Sequence, residues 1–241
     1  MKLLLGVIAV SSLLAAPAFA ADLPARMPVK APPPVVVATV YNWTGFYIGV
    51  VGGWGRSEQQ WTAVGGVTTG NFRGDGGHVG GTLGYNWQAG AFVLGVEVDG
   101  SWSGIDATNT TTGGCSAAFP CTAEVRWFGT ARGRLGVTWN NVLFYGTGGA
   151  AWANIQNEQL LLSPLATADT TKFGWTAGGG IEVGFAPNWS VKAEYLYARF
   201  GETDFCPAAG CGVVVVSDYT RLHLVRAGLN YRFGGPVVAR Y

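Results

Sequence analysis

Two histidines, His78 and His223, and four cysteines, Cys115, Cys121, Cys206 and Cys211, are the residues of this chain best suited to metal or nucleophilic chemistry. Nucleophilic catalysis needs a nucleophile and a base within hydrogen-bond reach. His78 and His223 fall on opposite parities of their segments, so they face opposite ways, and no convincing Ser/His/Asp set accompanies either. The glycine-rich stretches lack the following helix and lysine of a phosphate cradle. The chain is therefore expected not to be an enzyme, and no cofactor is expected. Each cysteine pair is close in sequence, which favours two intra-loop disulfides, Cys115–Cys121 and Cys206–Cys211. Four cysteines permit three connectivities, and a zinc site is the alternative. An oxidising compartment and the lack of nearby histidine weigh against zinc. The remaining polar signal is a set of charged residues that alternate with apolar ones: Glu97, Asp99, Glu124, Arg126, Arg132, Arg134, Lys172, Glu182, Lys192, Glu194, Arg226 and Arg232. Charges at that spacing share one face of a sheet, where they can pair.

The elements that must position these residues are strands. The chain has 241 residues, of which 49% are hydrophobic and 12% charged, with 38 glycines and a net charge of +1; its mean hydropathy is +0.24. That balance gives no electrostatic case for nucleic acid. It points to a membrane, yet past the N-terminus no run of about 18 apolar residues appears. The N-terminus reads as an export signal over 1–20. Met1-Lys2 is a basic start, Leu3 to Leu14 an apolar core, and cleavage falls between Ala20 and Ala21. Residues 21–42 form a proline-rich periplasmic linker.

Period-2 alternation then marks eight strands at about 44–56, 76–88, 91–103, 122–139, 142–155, 171–186, 189–200 and 218–233. Gln88-Ala89-Gly90, Asn140-Asn141 and Pro187-Asn188 are tight turns. The other connections, roughly 57–75, 104–121, 156–170 and 201–217, are long. Short periplasmic turns alternating with longer outside loops are the pattern of outer-membrane barrels. The expected fold is all-β, an eight-stranded antiparallel transmembrane barrel over 43–233 with three short periplasmic turns and four long extracellular loops. Residues 234–241 form a short C-terminal extension.

Alternation sets Leu94, Val98, Val125, Leu135, Val137 and Ile181 on one face and the twelve charged residues on the other. It does not say which face is outside. Aromatic placement does, because Trp prefers the membrane–water interface. Trp87, Trp139 and Trp189 lie at the turn ends of their strands, and Trp54, Trp102, Trp127, Trp152 and Trp175 at or near the long-loop ends. Trp127 to Trp139 spans about 40 Å of strand at ~3.3 Å per residue. A tilt near 40° reduces this to about 30 Å, close to the ~25 Å apolar band plus its girdles. The twelve charged residues are thus expected inside, as an ion network that fills a narrow lumen. Glycines such as Gly129, Gly133 and Gly178-Gly179-Gly180 relieve crowding and permit curvature there.

Three stretches carry a family resemblance: Asn42-Trp-Thr-Gly-Phe-Tyr-Ile-Gly, Trp189-Ser-Val-Lys-Ala-Glu-Tyr-Leu-Tyr and Val225-Arg-Ala-Gly-Leu-Asn-Tyr-Arg-Phe. They resemble the small porin-family outer-membrane β-barrels, including surface antigens of alphaproteobacteria and the OmpA-like transmembrane domain. The resemblance implies that the last strand, with Tyr231 and Phe233, is the signal read by the barrel assembly machinery. This chain departs from the pattern by continuing from Gly234 to Tyr241. The implied setting is the cell outer membrane. Its lipid and lipopolysaccharide, and host or surface ligands, are the expected partners. A structural surface barrel is the first functional expectation, a narrow porin the second, and a surface ligand-binding module, for heme for instance, or an adhesin the third. An enzyme acting on lipids ranks last.

Overall fold

The computed structural model describes residues 41–63, 71–110, 121–159, 166–201, 203–205 and 215–234. Eight long antiparallel strands close on themselves. They are β1 (Gly45–Ala63), β2 (Phe72–Ala89), β3 (Phe92–Asn109), β4 (Cys121–Trp139), β5 (Val142–Gln159), β6 (Ala166–Ala186), β7 (Trp189–Phe200) and β9 (Val215–Phe233), with β8 (Thr203–Phe205) a short strand paired to β9. Each stave bonds to its chain neighbours, and β1 pairs with β9 from Phe46↔Phe233 to Ala63↔Val215. Closure leaves no free sheet edge among the eight staves, so the backbone polar groups are satisfied internally, as a lipid environment demands.

At one end β2–β3, β4–β5 and β6–β7 are joined by two residues each. Gly90 (φ 62°) and Asn140 (φ 56°) take the left-handed conformation that these tight turns require. Gly84 and Gly180 serve packing instead. A Cβ at Gly84 would lie 2.3 Å from the Tyr47 ring, and one at Gly180 would lie 2.8 Å from the Tyr145 hydroxyl. The absence of side chains there makes room for two tyrosines inside the barrel.

The strands are longer than the alternation alone indicates. Segments 57–63, 104–109 and 156–159, expected as loop, continue β1, β3 and β5, and β2 and β6 begin at Phe72 and Ala166. An 18-residue stave is about 60 Å long at ~3.3 Å per residue, or about 45 Å high after a ~40° tilt. The apolar band of an outer-membrane barrel is only ~25 Å tall. All the staves except the 12-residue β7 therefore rise well beyond the membrane on the side opposite the tight turns.

The side chains change accordingly along the staves. Between the girdles the outer wall is apolar: Ile48, Leu83, Leu94, Val98, Leu135 and Ile181 are exposed there. Beyond the outer girdle the exterior carries the ion pairs Arg56–Asp75 (2.7 Å), Arg73–Glu58 (3.0 Å) and Arg126–Glu124 (3.8 Å). The interior inverts in step. Ile105, Val125, Phe128, Ala153, Ile155, Leu196, Phe200, Leu222 and Leu224 form an apolar cluster inside the barrel, beginning at the level of the outer girdle.

Candidate functional site: the filled lumen

Among the described residues, the buried charged side chains are concentrated inside the membrane-level half of the barrel. Glu97 and Asp99 come from β3, Arg132 and Arg134 from β4, Glu182 from β6, Lys192 and Glu194 from β7 and Arg226 from β9. All eight are buried. Strand register explains why they meet: Glu97 is the Cα partner of Arg132, Glu182 of Lys192 and Glu194 of Arg226. Opposite charges thus stand directly across each of three strand pairs, all on the inward face.

Contacts across the lumen knit these pairs together. Arg132 donates from Nη2 to Glu97 Oε1 and, at 2.9 Å, to Asp99 Oδ2, and from Nη1 to Glu194 Oε1 at 2.8 Å. Arg226 donates from Nε to Glu194 Oε2 at 2.7 Å and from Nη1 to Asp99 Oδ1 at 2.9 Å. Lys192 Nζ reaches Glu97 Oε2 at 2.7 Å. Arg134 bonds Glu182 Oε2 at 2.7 Å and the Tyr47 hydroxyl at 2.9 Å, and the Tyr47 hydroxyl itself donates to Glu97 Oε2 at 2.7 Å. Ser190 and Asn230 donate to Glu182 Oε1 at 2.6 and 2.8 Å, and Thr130 donates to Asp99. Four carboxylates face four cations, so the set is neutral. Pairing and hydrogen bonding of this density are what allow charges to remain ionised in a low-dielectric space.

Two further inward cations stand apart from this network. Lys172 is buried at the level of the apolar cluster, and Arg232 lies at the periplasmic end, where it donates to the Pro187 carbonyl at 2.6 Å. Glu124 and Arg126 require a correction: they are not in the lumen. Val125 pairs with Ile155 while Trp127 pairs with Asn154, so β4 carries a bulge at Arg126. One extra residue reverses the parity of a strand. Ala123 and Val125 therefore turn inward, and Glu124 and Arg126 outward, where they form a solvent-facing pair with side chains 45% and 53% exposed.

The girdle tryptophans lie on the outer wall. Trp54, Trp87, Trp102, Trp127, Trp139, Trp175 and Trp189 are exposed. Trp152 is half-buried because its indole covers Gly129, where a Cβ would sit 2.5 Å from Nε1. Tyr231 and Phe233 meet edge to face at 5.2 Å at the inner end of β9, next to Trp189. His78 is buried edge-on to Phe128 at 5.4 Å, and among the described residues neither ring nitrogen has a hydrogen-bond partner. His223 is on the outer side, with Nδ1 2.8 Å from the Tyr195 hydroxyl. The two histidines share no site. Ala20, Ala21, Cys115, Cys206 and Cys211 lie outside the described residues, and Cys121 is described only as the first residue of β4.

Three parts of the lumen were missed by reading the sequence. Tyr47 and Tyr145 stack on Arg134, whose guanidinium carbon lies 4.0 Å from the Tyr145 ring centre. Their inward parity, opposite Ile48 and Phe144, was the available signal. The apolar cluster was hidden by the bulge and by taking segments 57–63, 104–109 and 156–159 for loops. The third is a floor. Trp43, immediately before β1, is buried with Val93, Leu143 and Tyr145 and donates its backbone N–H to Gln88 Oε1 at 2.8 Å. Tyr41 packs on Trp43 at 4.5 Å, under the Arg232 guanidinium. Burial pushes the Tyr41 phenol above its ordinary pKa, and Arg232 opposes the shift. From the periplasmic end outward the barrel thus holds an aromatic floor, an ion network and an apolar layer.

Comparison with known proteins agrees with this architecture. The family described as the outer membrane protein beta-barrel domain matches residues 6–233. A 31 kDa outer-membrane immunogenic protein of Brucella melitensis is 35% identical over 239 residues, covering 93% of this chain and 97% of its own. A 25 kDa outer-membrane immunogenic protein of Brucella abortus is 31% identical over 90% of this chain and 92% of its own. A 22 kDa outer membrane protein of Rhizobium leguminosarum is 32% identical over 68% of this chain and 67% of its own. Among solved structures, the Escherichia coli outer membrane protease OmpT aligns with a TM-score of 0.50 at 9% identity, over 78% of this chain and 97% of that one. That likeness concerns the fold alone. With a closed antiparallel barrel, two tryptophan girdles and a polar lumen in place, this chain belongs to the outer membrane protein β-barrel domain family and resides in the cell outer membrane.

Proposed function

We propose that the protein is a closed structural barrel of the outer membrane that displays its long-stave end at the cell surface and neither conducts solutes nor catalyses a reaction. The observation that carries this reading is the stacking of three filled layers in one lumen. The ion network alone occupies the cross-section with eight buried charged side chains. Moving a solute through it would break several charge-assisted hydrogen bonds at once and leave carboxylates unpaired in a low dielectric. An eight-stranded barrel has an interior that side chains can largely fill, whereas open aqueous channels belong to much wider barrels. The Brucella relatives are named immunogenic, which accords with a surface-displayed part. The same stable, loop-bearing body suits envelope support and contact with surfaces or host ligands. A narrow porin is the competing reading, and planar-bilayer recording separates the two. The refolded protein is expected to give no discrete openings, and stepwise conductance would overturn the proposal. Non-catalytic status is tested by incubating the protein with outer-membrane lipid and looking for an acyl-chain mass change, with none expected.

A further inference from the structure

The aromatic floor hangs from one stave and is gripped by the feet of the others. Tyr41, Asn42, Trp43 and Thr44 directly precede β1 and belong to no strand. Trp43 donates its backbone N–H to Gln88 at the foot of β2 and packs on Val93 of β3 and on Leu143 and Tyr145 of β5. The Gln88 backbone N–H donates in return to Thr44 Oγ1 at 3.0 Å, and the Thr44 N–H donates to Asn42 Oδ1 at 2.9 Å. Tyr41 reaches the far side of the mouth. Its ring covers Gly184 of β6, where a Cβ would run into that ring first. Its hydroxyl donates to the Trp189 carbonyl of β7 at 3.2 Å, and the Arg232 guanidinium of β9 lies over the ring.

These contacts require a sheet that has already curled into a ring. In the strand order β6 and β7 stand five and six places from β1. At ~4.8 Å per place, an uncurled sheet would hold their feet about 24 and 29 Å from the foot of β1. The four residues from Gly45 back to Tyr41 cover at most about 14 Å, a shortfall that a tyrosine side chain does not make up. We infer that Tyr41–Thr44 is a strap that docks after the barrel has closed and locks it, holding the ring shut without helping it to form. Contacts made only after the folding transition state slow unfolding and leave the folding rate alone. The strap thus lengthens the lifetime of the inserted barrel. All the ladder bonds of the staves survive its removal, because none of its residues lies in a strand. This role goes beyond the proposed function and does not depend on whether the lumen conducts.

Unfolding and refolding rates of the full chain in lipid vesicles after urea jumps test it. The folded fraction is read by gel mobility, since a folded barrel and its boiled chain migrate differently. Trp43→Ala is expected to refold at the native rate and to unfold about a hundredfold faster, because the truncated contacts of a buried Trp are felt only once the strap has docked. Trp43→Phe should keep most of the lock, since among the described residues the indole N–H has no hydrogen-bond partner. Gly184→Ala leaves the strap's own sequence intact and fills the seat of the Tyr41 ring, so it too should speed unfolding alone. In Trp43→Ala or Gly184→Ala, slowed refolding, failure to fold or an unchanged unfolding rate would overturn the inference.

Discussion

The membrane-level half of the barrel and the half that stands beyond it are built by opposite rules on the same staves. At membrane level β3 points Val96 and Val98 at lipid and Glu97 and Asp99 into the lumen. A few residues further on, the same strand buries Ile105 and Ala107 and turns Asp106 to solvent. In β3 the parity never changes; only the residue types on each parity do. In β4 the bulge at Arg126 achieves the exchange by shifting parity itself. Polarity thus follows the surrounding medium rather than the strand. Where lipid is outside, the core is ionic and held by directed bonds. Where water is outside, the core is mainly apolar, with Ser57, Gln59 and Thr220 also buried in it, and is held chiefly by the hydrophobic effect.

The two halves should therefore respond differently to the same kind of damage. The largest effect is expected in the ionic half. Arg226→Met leaves Asp99 and Glu194 buried with Arg132 as their one remaining shared cation, and such losses cost about 3–5 kcal/mol. Urea unfolding in lipid vesicles, followed by tryptophan fluorescence, measures it. Adding Asp99→Leu to Arg226→Met should recover part of the loss, because it removes one of the stranded charges. Next comes the apolar half, where Leu224→Ala should cost about 2–5 kcal/mol as a buried cavity. Leu135→Ala on the lipid-facing wall makes no cavity, since lipid closes over it, and should cost about 1 kcal/mol or less. Equal losses for Leu224 and Leu135 would erase the distinction between the halves.

The outer surface offers a sharper contrast still. Val98→Arg, in the lipid-facing band, should cost about 2–4 kcal/mol. Thr122→Arg, on the solvent-facing part of β4, should change stability by no more than about 0.5 kcal/mol. Smallest of all is Arg56→Gln, which breaks an exposed ion pair and is expected to leave the unfolding midpoint in place within measurement.

Much of this was legible in the sequence, for a definite reason. Period-2 alternation fixes which side chains share a face, and tryptophans at strand ends fix which face meets lipid. Leu94, Val137 and Ile181 could thus be set outside, and Glu97, Arg132 and Glu182 inside, from the residues alone. A bulge inserts one residue without a compositional mark, so parity counted through Arg126 put Glu124 inside and Val125 outside. In the projecting half the outward residues, such as Asp106 and Gln156, are polar, and in β1 the inward ones, Ser57 and Gln59, are polar as well, so these segments read as loop when they belong to strands. Trp43 followed a proline-rich segment and gave no periodic context, and only the closed barrel shows that it seals the mouth.

The inversion itself is measured most directly by methyl NMR of the protein in bicelles, with one spin label dissolved in the lipid and a gadolinium chelate in the water. The account predicts that the methyls of Leu94, Val137 and Ile181 are broadened by the lipid label, while those of Ile105, Val125 and Leu224 are shielded from both probes. Broadening of Val125 by the lipid label, or protection of Leu94 from it, would contradict the account.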